Sequence, residues 1–221
     1  MFILELPLRE RVNNLVIGGS SQDATILREL ILSVNDEKSH IISRCADKLR
    51  KHSNEVHFES SFNDFEIISF LISKYEYENI YIFTAQSSVF ESFEKPSFTF
   101  YLNCDLPNQV FAECLKYENE GKILVPLSSE CFGSSLLPCS SATTFKPVSP
   151  YGVSKAILRD LALDYRKKGL KIDLPILFNH ESKYRASFSV IRKFMDFLKK
   201  LNEVKCSSLH VGNLDVIRDG A

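Results

Sequence analysis

Residues 16–27, VIGGSSQDATIL, decide how this chain reads: an apolar strand runs into two glycines and then directly into an apolar helix. Strand, glycine turn and helix form the opening unit of a dinucleotide-binding sheet, where the turn offers backbone N–H groups to a pyrophosphate. At the later positions where such a loop carries further glycines, this chain has Ser21 and Ala24. Taken alone, the stretch fits a working cofactor loop, an altered one, or a plain strand-to-helix turn.

The segments that follow alternate between strand and helix patterns. NLVIGG (14–19), HIISR (40–44), EVHFES (55–60), NIYIFTA (79–85), KILVPLSS (122–129) and KIDLPILFNH (171–180) read as six strands. DATILRELILSV (23–34) reads as a helix, as does NDFEIISFLISKY (63–75) with Asn63 or Asp64 as its cap. PSFTFYLNCDLPNQVFAECLKYE (96–118) reads as mostly helical, interrupted or bent near Pro107, and SPYGVSKAILRDLALDYRKKG (149–169) as a long helix ended by Gly169. Strands joined through helices by short links predict an α/β fold, a doubly wound parallel sheet covered on both faces. Its ligand crevice belongs beyond the carboxyl ends of the strands. That rule sets the 18–24 turn and residues 84–86, 128–130 and 179–181 along one rim. A helix, FSVIRKFMDFLKKL (188–201), and a strand-like piece, SSLHVGNLDVIRDGA (207–221), complete the chain. The expected domains are therefore a dinucleotide-binding unit over residues 1–180 and the start of a substrate-binding subdomain over 181–221.

Composition excludes some partners. Among 221 residues, 44% are hydrophobic and 25% charged, as in ordinary globular proteins. The net charge is -1 with no basic block, so nothing favours nucleic acid. No apolar run approaches the roughly 20 residues of a membrane span. The opening MFILELPLRERVNN lacks the pattern of a signal peptide. Six cysteines lie scattered without a metal-type cluster. Reduced thiols in a cytoplasmic protein with no bound metal are the expectation.

Two pairs of residues carry candidate chemistry. Tyr151 and Lys155 stand four apart at the start of the long helix and share a face. A lysine beside a tyrosine favours phenolate and suits it to acid–base work. Alone, such a pair is more often a solvated helix face. Ser128 and Glu130 follow the fifth strand, twenty-three and twenty-one residues before Tyr151. Together, a strand-end hydroxyl and a helix presenting tyrosine and lysine form the catalytic arrangement of short-chain dehydrogenases.

LSSECFG (127–133), KPVSPYGVSK (146–155), ILFNHES (176–182), IRK (191–193) and VGNLDVIRDGA (211–221) resemble segments of the GDP-mannose 4,6-dehydratases. AQSSVFESFEKP (85–96) resembles the same family, which lies within the extended short-chain dehydrogenase/reductases. The resemblance keeps family order from about residue 13 to 221. It implies a Rossmann fold, bound NADP with NAD as the alternative, and a nucleotide-sugar substrate, GDP-mannose first among them. Oligomerisation with further copies of the chain is left open.

The implied roles follow position by position. Tyr151 deprotonates the hexose C4 hydroxyl, and Lys155 assists it and holds the nicotinamide ribose. Ser128, where the family usually has threonine, hydrogen-bonds the sugar oxygen, and Glu130 takes the C5 proton. Gly18, Ser21, Gln22, Asp23, Arg44 and Ala85 line the cofactor, and Asn179, Arg185, Lys193 and Arg218 hold the sugar nucleotide. Three departures fall on the cofactor half. The glycine pattern becomes Gly18-x-x-Ser21-x-x-Ala24, only Arg44 remains of consecutive arginines after the second strand, and Ser60 stands where an acidic residue is expected. Family members continue past the GNLD segment, so part of the sugar-nucleotide pocket is expected to be absent, unless the chain is a piece of a longer protein. The other readings are a nucleotide-sugar reductase or epimerase and a non-catalytic relative acting as a subunit or binding partner.

Overall fold

The computed structural model describes residues 9–34, 37–61, 65–135, 138–185, 189–203 and 208–209. The chain divides into two compact units, Met1–Ile176 and Leu177–Ala221.

In the first unit, six parallel strands are ordered β3-β2-β1-β4-β5-β7. They are β1 (Glu10–Ile17), β2 (Ser39–Ser43), β3 (Glu55–Glu59), β4 (Tyr75–Ile82), β5 (Lys122–Leu124) and β7 (Lys171–Asp173). Their order turns back at β1, the point where β1 and β4 diverge to opposite halves of the sheet. That switch point opens the crevice at the strand ends. The doubly wound expectation holds, with β1 and β4 each beginning four residues earlier than the sequence pattern predicts.

Side-chain alternation divides the strands between two cores. Leu15 and Ile17 join Ile80, Ile82 and Ile123 on one face, where they meet α2 (Phe65–Lys74), α5 (Leu106–Lys116) and α6 (Pro150–Lys167). Val16 and Ile41 turn to the other face and pack against Ala24 of α1 (Gln22–Val34). A larger residue at position 24 would push α1 off the sheet, so the alanine keeps the close contact that a third glycine would give.

Three expectations need correction. The predicted strand over 122–129 is split: β5 ends at Leu124, and β6 (Leu127–Ser128) pairs instead with β8 (Ile176–Leu177) in a separate ladder. The predicted strand over 171–180 divides the same way. Pro126 and Pro175 are the cause, since neither can donate to a ladder. Val125 N–H still reaches the Asp173 carbonyl at 3.0 Å, and Leu127 N–H reaches the Pro175 carbonyl at 2.8 Å.

The predicted helix over 96–118 is interrupted earlier than Pro107, by a wider π-type turn over Tyr101–Asp105 between α4 (Pro96–Phe100) and α5. Pro107 is tolerated because it falls in the first turn of α5. A further short helix, α3 (Val89–Glu94), was not predicted; the Ser88 side chain caps it by accepting from Glu91 N–H.

In the second unit, α7 (Val190–Glu203) is the principal element. The proposed cap at residues 63–64 and most of the strand-like piece over 207–221, including Arg218, lie outside the described residues. Among the described residues, no helix is long and apolar enough to cross a membrane. Cys45, Cys104, Cys114 and Cys131 are free thiols.

Candidate active site

The glycine turn is set by contact with the end of β4. Gly18 has φ +90, and a Cβ built there would lie 2.6 Å from Thr84 N and 2.7 Å from Thr84 Oγ1. Only glycine meets both conditions. The N–H groups of Gly18 and Gly19 both donate to the Ile42 carbonyl, at 3.0 and 2.9 Å, and tie the turn to β2. The turn follows the carboxyl end of β1, beside the switch point between β1 and β4, where sheets of this kind bind a dinucleotide pyrophosphate.

Ser21 has a local job there. Its N–H closes the turn on the Gly18 carbonyl at 3.0 Å, and its Oγ accepts from Ala24 N–H at 3.1 Å. Ser21 is thus the N-cap of α1, satisfying a helix donor that a glycine would leave to a ligand. A hydroxyl that accepts this bond still carries a proton to donate. Gln22 and Asp23 open the helix beside it, both half-buried. Arg44 follows β2 directly and is exposed, while Ala85 is half-buried next to Thr84. Ser60 is buried at the end of β3.

The catalytic candidates come together where β6 meets α6. Ser128 Oγ accepts from Glu130 N–H at 3.3 Å and caps the 3-10 turn Ser129–Cys131. Ser149 caps α6 by accepting from Gly152 N–H at 3.0 Å. A Cβ on Gly152 would lie 2.5 Å from the Glu130 carbonyl, so the first turn of α6 abuts the Glu130 backbone. Tyr151 and Lys155 are both buried. The Lys155 ammonium donates to the Pro126 carbonyl at 2.8 Å, using the acceptor exposed where the strand breaks.

Burial lowers the Lys155 pKa from 10.5 to about 8, opposed weakly by Cys131 and Cys104. Between those values the unfolded chain binds more protons than the folded one, so stability rises with pH across the window and the full penalty applies below it. Such a shift is worth about 3 kcal/mol. Chemical denaturation without added dinucleotide should show stability climbing from pH 8 towards 10.5. In Lys155→Met that component should vanish; equal pH dependence in both proteins would show that Lys155 stays charged at little cost.

Asn103 was missed by the sequence reading. It is fully buried in the π-type turn, where its Nδ2 donates to the Gln86 carbonyl at 3.0 Å and to Ser154 Oγ at 2.9 Å. Its Oδ1 accepts from Gln86 N–H at 3.0 Å, and Ser154 Oγ donates to the Tyr151 carbonyl at 2.7 Å. One side chain thereby locks the segment after β4 to the helix turn that carries Tyr151 and Lys155. An asparagine within the apolar run FYLNCDL was the available signal.

In the second unit, Asn179 is exposed, and Arg185 Nε lies 3.7 Å from Glu181 Oε1. Lys193 is exposed on α7, beside Arg192, whose guanidinium meets Asp196 at 3.2 Å. Glu181 already compensates part of the positive charge of Arg185.

A doubly wound sheet with a glycine turn after β1 and a Tyr-x-x-x-Lys helix beside a serine strand end defines the short-chain dehydrogenase/reductase class. The GDP-mannose 4,6 dehydratase family model matches residues 15–221, and the chain belongs to that family. It is 29% identical to GDP-mannose 4,6 dehydratase 2 of Arabidopsis thaliana, over 93% of this chain and 60% of that protein. It is 28% identical to the GDP-mannose 4,6-dehydratase of Vibrio cholerae serotype O1, over 93% of this chain and 59% of the relative. The chain thus spans about 60% of the length of these relatives. Among solved structures, UDP-N-acetylglucosamine 4-epimerase from Methanobrevibacter ruminantium superposes with a TM-score of 0.80 at 22% identity, over 97% of this chain and 69% of that one. A dTDP-glucose 4,6-dehydratase from Streptomyces venezuelae, solved with NAD bound, gives 0.75 at 18% identity, over 86% and 62%. Both likenesses are of fold.

Proposed function

We propose that the chain carries the catalytic site of a nucleotide-sugar 4,6-dehydratase acting on GDP-mannose with NADP. The observation that carries this reading is the seating of the Ser128 and Glu130 turn against the first turn of α6, with Lys155 anchored on Pro126. A bound nicotinamide dinucleotide supplies the chemistry of accepting a hydride from C4 of the hexose and returning it at C6. Tyr151 takes the proton of the C4 hydroxyl, and Ser128 hydrogen-bonds the same oxygen. Lys155, charged below about pH 8, places a positive charge near the oxygen that gains negative character. Glu130 removes the C5 proton and passes it to the C6 hydroxyl, which leaves as water, a step a simple reductase does not need. Asn179, Arg185, Lys193 and Arg218 hold the sugar nucleotide, their cationic members meeting its diphosphate.

Gly18, Ser21, Gln22, Asp23 and Ala85 line the cofactor in this reading. NADP is favoured over NAD because the residues following β2 present exposed Arg44 and no carboxylate before Asp47. A carboxylate there would pair with a ribose 2′-hydroxyl, whereas an arginine suits a 2′-phosphate.

A second reading, a non-catalytic relative serving as a subunit or binding partner, is favoured by one observation. Ser21 caps α1 internally, at the position where a glycine would leave backbone open to the pyrophosphate.

Incubating the purified chain with GDP-mannose and NADP should give a product lighter by one water with a 4-keto-6-deoxy hexose. Dinucleotide binding without that product would move the assignment to another nucleotide sugar or to an epimerase. No NADP or NAD binding by calorimetry at millimolar ligand would favour the non-catalytic reading.

A further inference from the structure

Arg28 lies on the inward face of α1, one turn beyond Ala24, and is only 4% exposed. A helix covering a sheet normally buries apolar residues there, and a buried guanidinium is costly unless fully paired. Arg28 meets that demand. Its Nε and Nη2 form a fork on the Glu55 carboxylate of β3, at 2.8 and 2.7 Å. Nη2 also donates to the Arg50 carbonyl at 2.7 Å, and Nη1 to the Gly19 carbonyl at 3.4 Å. The Glu55 side chain is 2% exposed and also pairs with His57 Nε2 at 2.9 Å.

The two carbonyls belong to the two loops that flank the cofactor crevice. Gly19 sits in the glycine turn, and Arg50 lies in the β2–β3 connection that also carries Arg44. In a trans peptide the N–H points opposite to the carbonyl. A guanidinium that draws the Gly19 carbonyl inward therefore turns the Ser20 N–H away from the protein interior. The same holds for the peptide joining Arg50 to Lys51. Glu55 neutralises the charge, so the arginine acts through geometry and not through its field.

We infer that Arg28 is a positioning residue for the cofactor: it couples the glycine turn to the loop after β2 and presets the peptide planes that face the pyrophosphate and adenosine. This inference rests on the dinucleotide reading of the site. A purely structural brace would be replaceable by apolar residues of similar volume, often without loss of stability; a positioning residue would not.

That difference is the test. In the double variant Arg28→Met/Glu55→Leu, the unfolding midpoint should stay close to that of the parent, while NADP dissociation measured by calorimetry weakens about tenfold or more. Arg28→Lys retains the charge but cannot fork, and should fold normally with an intermediate loss of affinity. Either folded variant binding NADP as tightly as the parent would overturn the inference. Amide hydrogen exchange gives an independent reading. Residues 19–21 and 50–51 should exchange faster in both variants, and unchanged exchange there would sink the brace itself. If the parent binds no dinucleotide, the cofactor reading fails, whereas the exchange result still decides whether Arg28 couples the two loops.

Discussion

Replacing Tyr151 by phenylalanine is expected to lower turnover of the nucleotide sugar about a thousandfold and to leave the fold intact. The substitution removes one oxygen and keeps the ring that fills the buried first turn of α6. The bonds that position this turn, from Ser154 Oγ to the Tyr151 carbonyl and from Gly152 N–H to Ser149 Oγ, involve backbone and other side chains. Loss of a positioned acid–base group typically costs 10²–10⁴ in rate, roughly the range expected here. Product formation and NADP affinity should be measured side by side: the first collapses and the second changes little. A phenylalanine variant keeping more than about a tenth of the parent rate would mean that another group takes the C4 proton.

Gly18→Ala is expected to be the most damaging small substitution in the cofactor half. Two costs add. A φ of +90 is strained for any residue with a Cβ, at about 1–3 kcal/mol. The added carbon would also sit 2.6 Å from Thr84 N, a backbone atom that cannot rotate aside. We expect a loss of about 3 kcal/mol or more in unfolding free energy and no measurable dinucleotide binding. Gly169→Ala is the control. Its φ is +104, but nothing lies within 4 Å of the added Cβ. It should cost only about 1 kcal/mol, the strain of a helix-ending position. Equal losses in the two variants would show that the approach to Thr84 carries no weight.

Part of the site was legible in the chain because its signals are local. The short continuous apolar runs in NLVI, HIIS and NIYI mark buried strands, and the four-residue spacing of Tyr151 and Lys155 marks one helix face. Ser21 was readable as a departure from a glycine, but its N-cap role depends on where α1 begins. The split of the last strands was not readable, because Pro126 and Pro175 are harmless apart and matter only once β5 and β7 pair in register. Arg28 carried no signal in the sequence, because its partner Glu55 reaches it only when α1 docks on the sheet.

By itself, then, the sequence determined the alternation of strands and helices, the glycine turn and the short spacings of the catalytic candidates. Each depends on neighbours within a few residues, where hydrophobic period and backbone sterics act directly. Only the tertiary structure decided which polar groups hold those candidates in place. Asn103 meets Ser154 across 51 residues, Lys155 meets Pro126 across 29, and Arg28 meets Glu55 across 27. A buried donor must find its acceptor wherever the fold brings one, and sequence spacing carries no record of that choice.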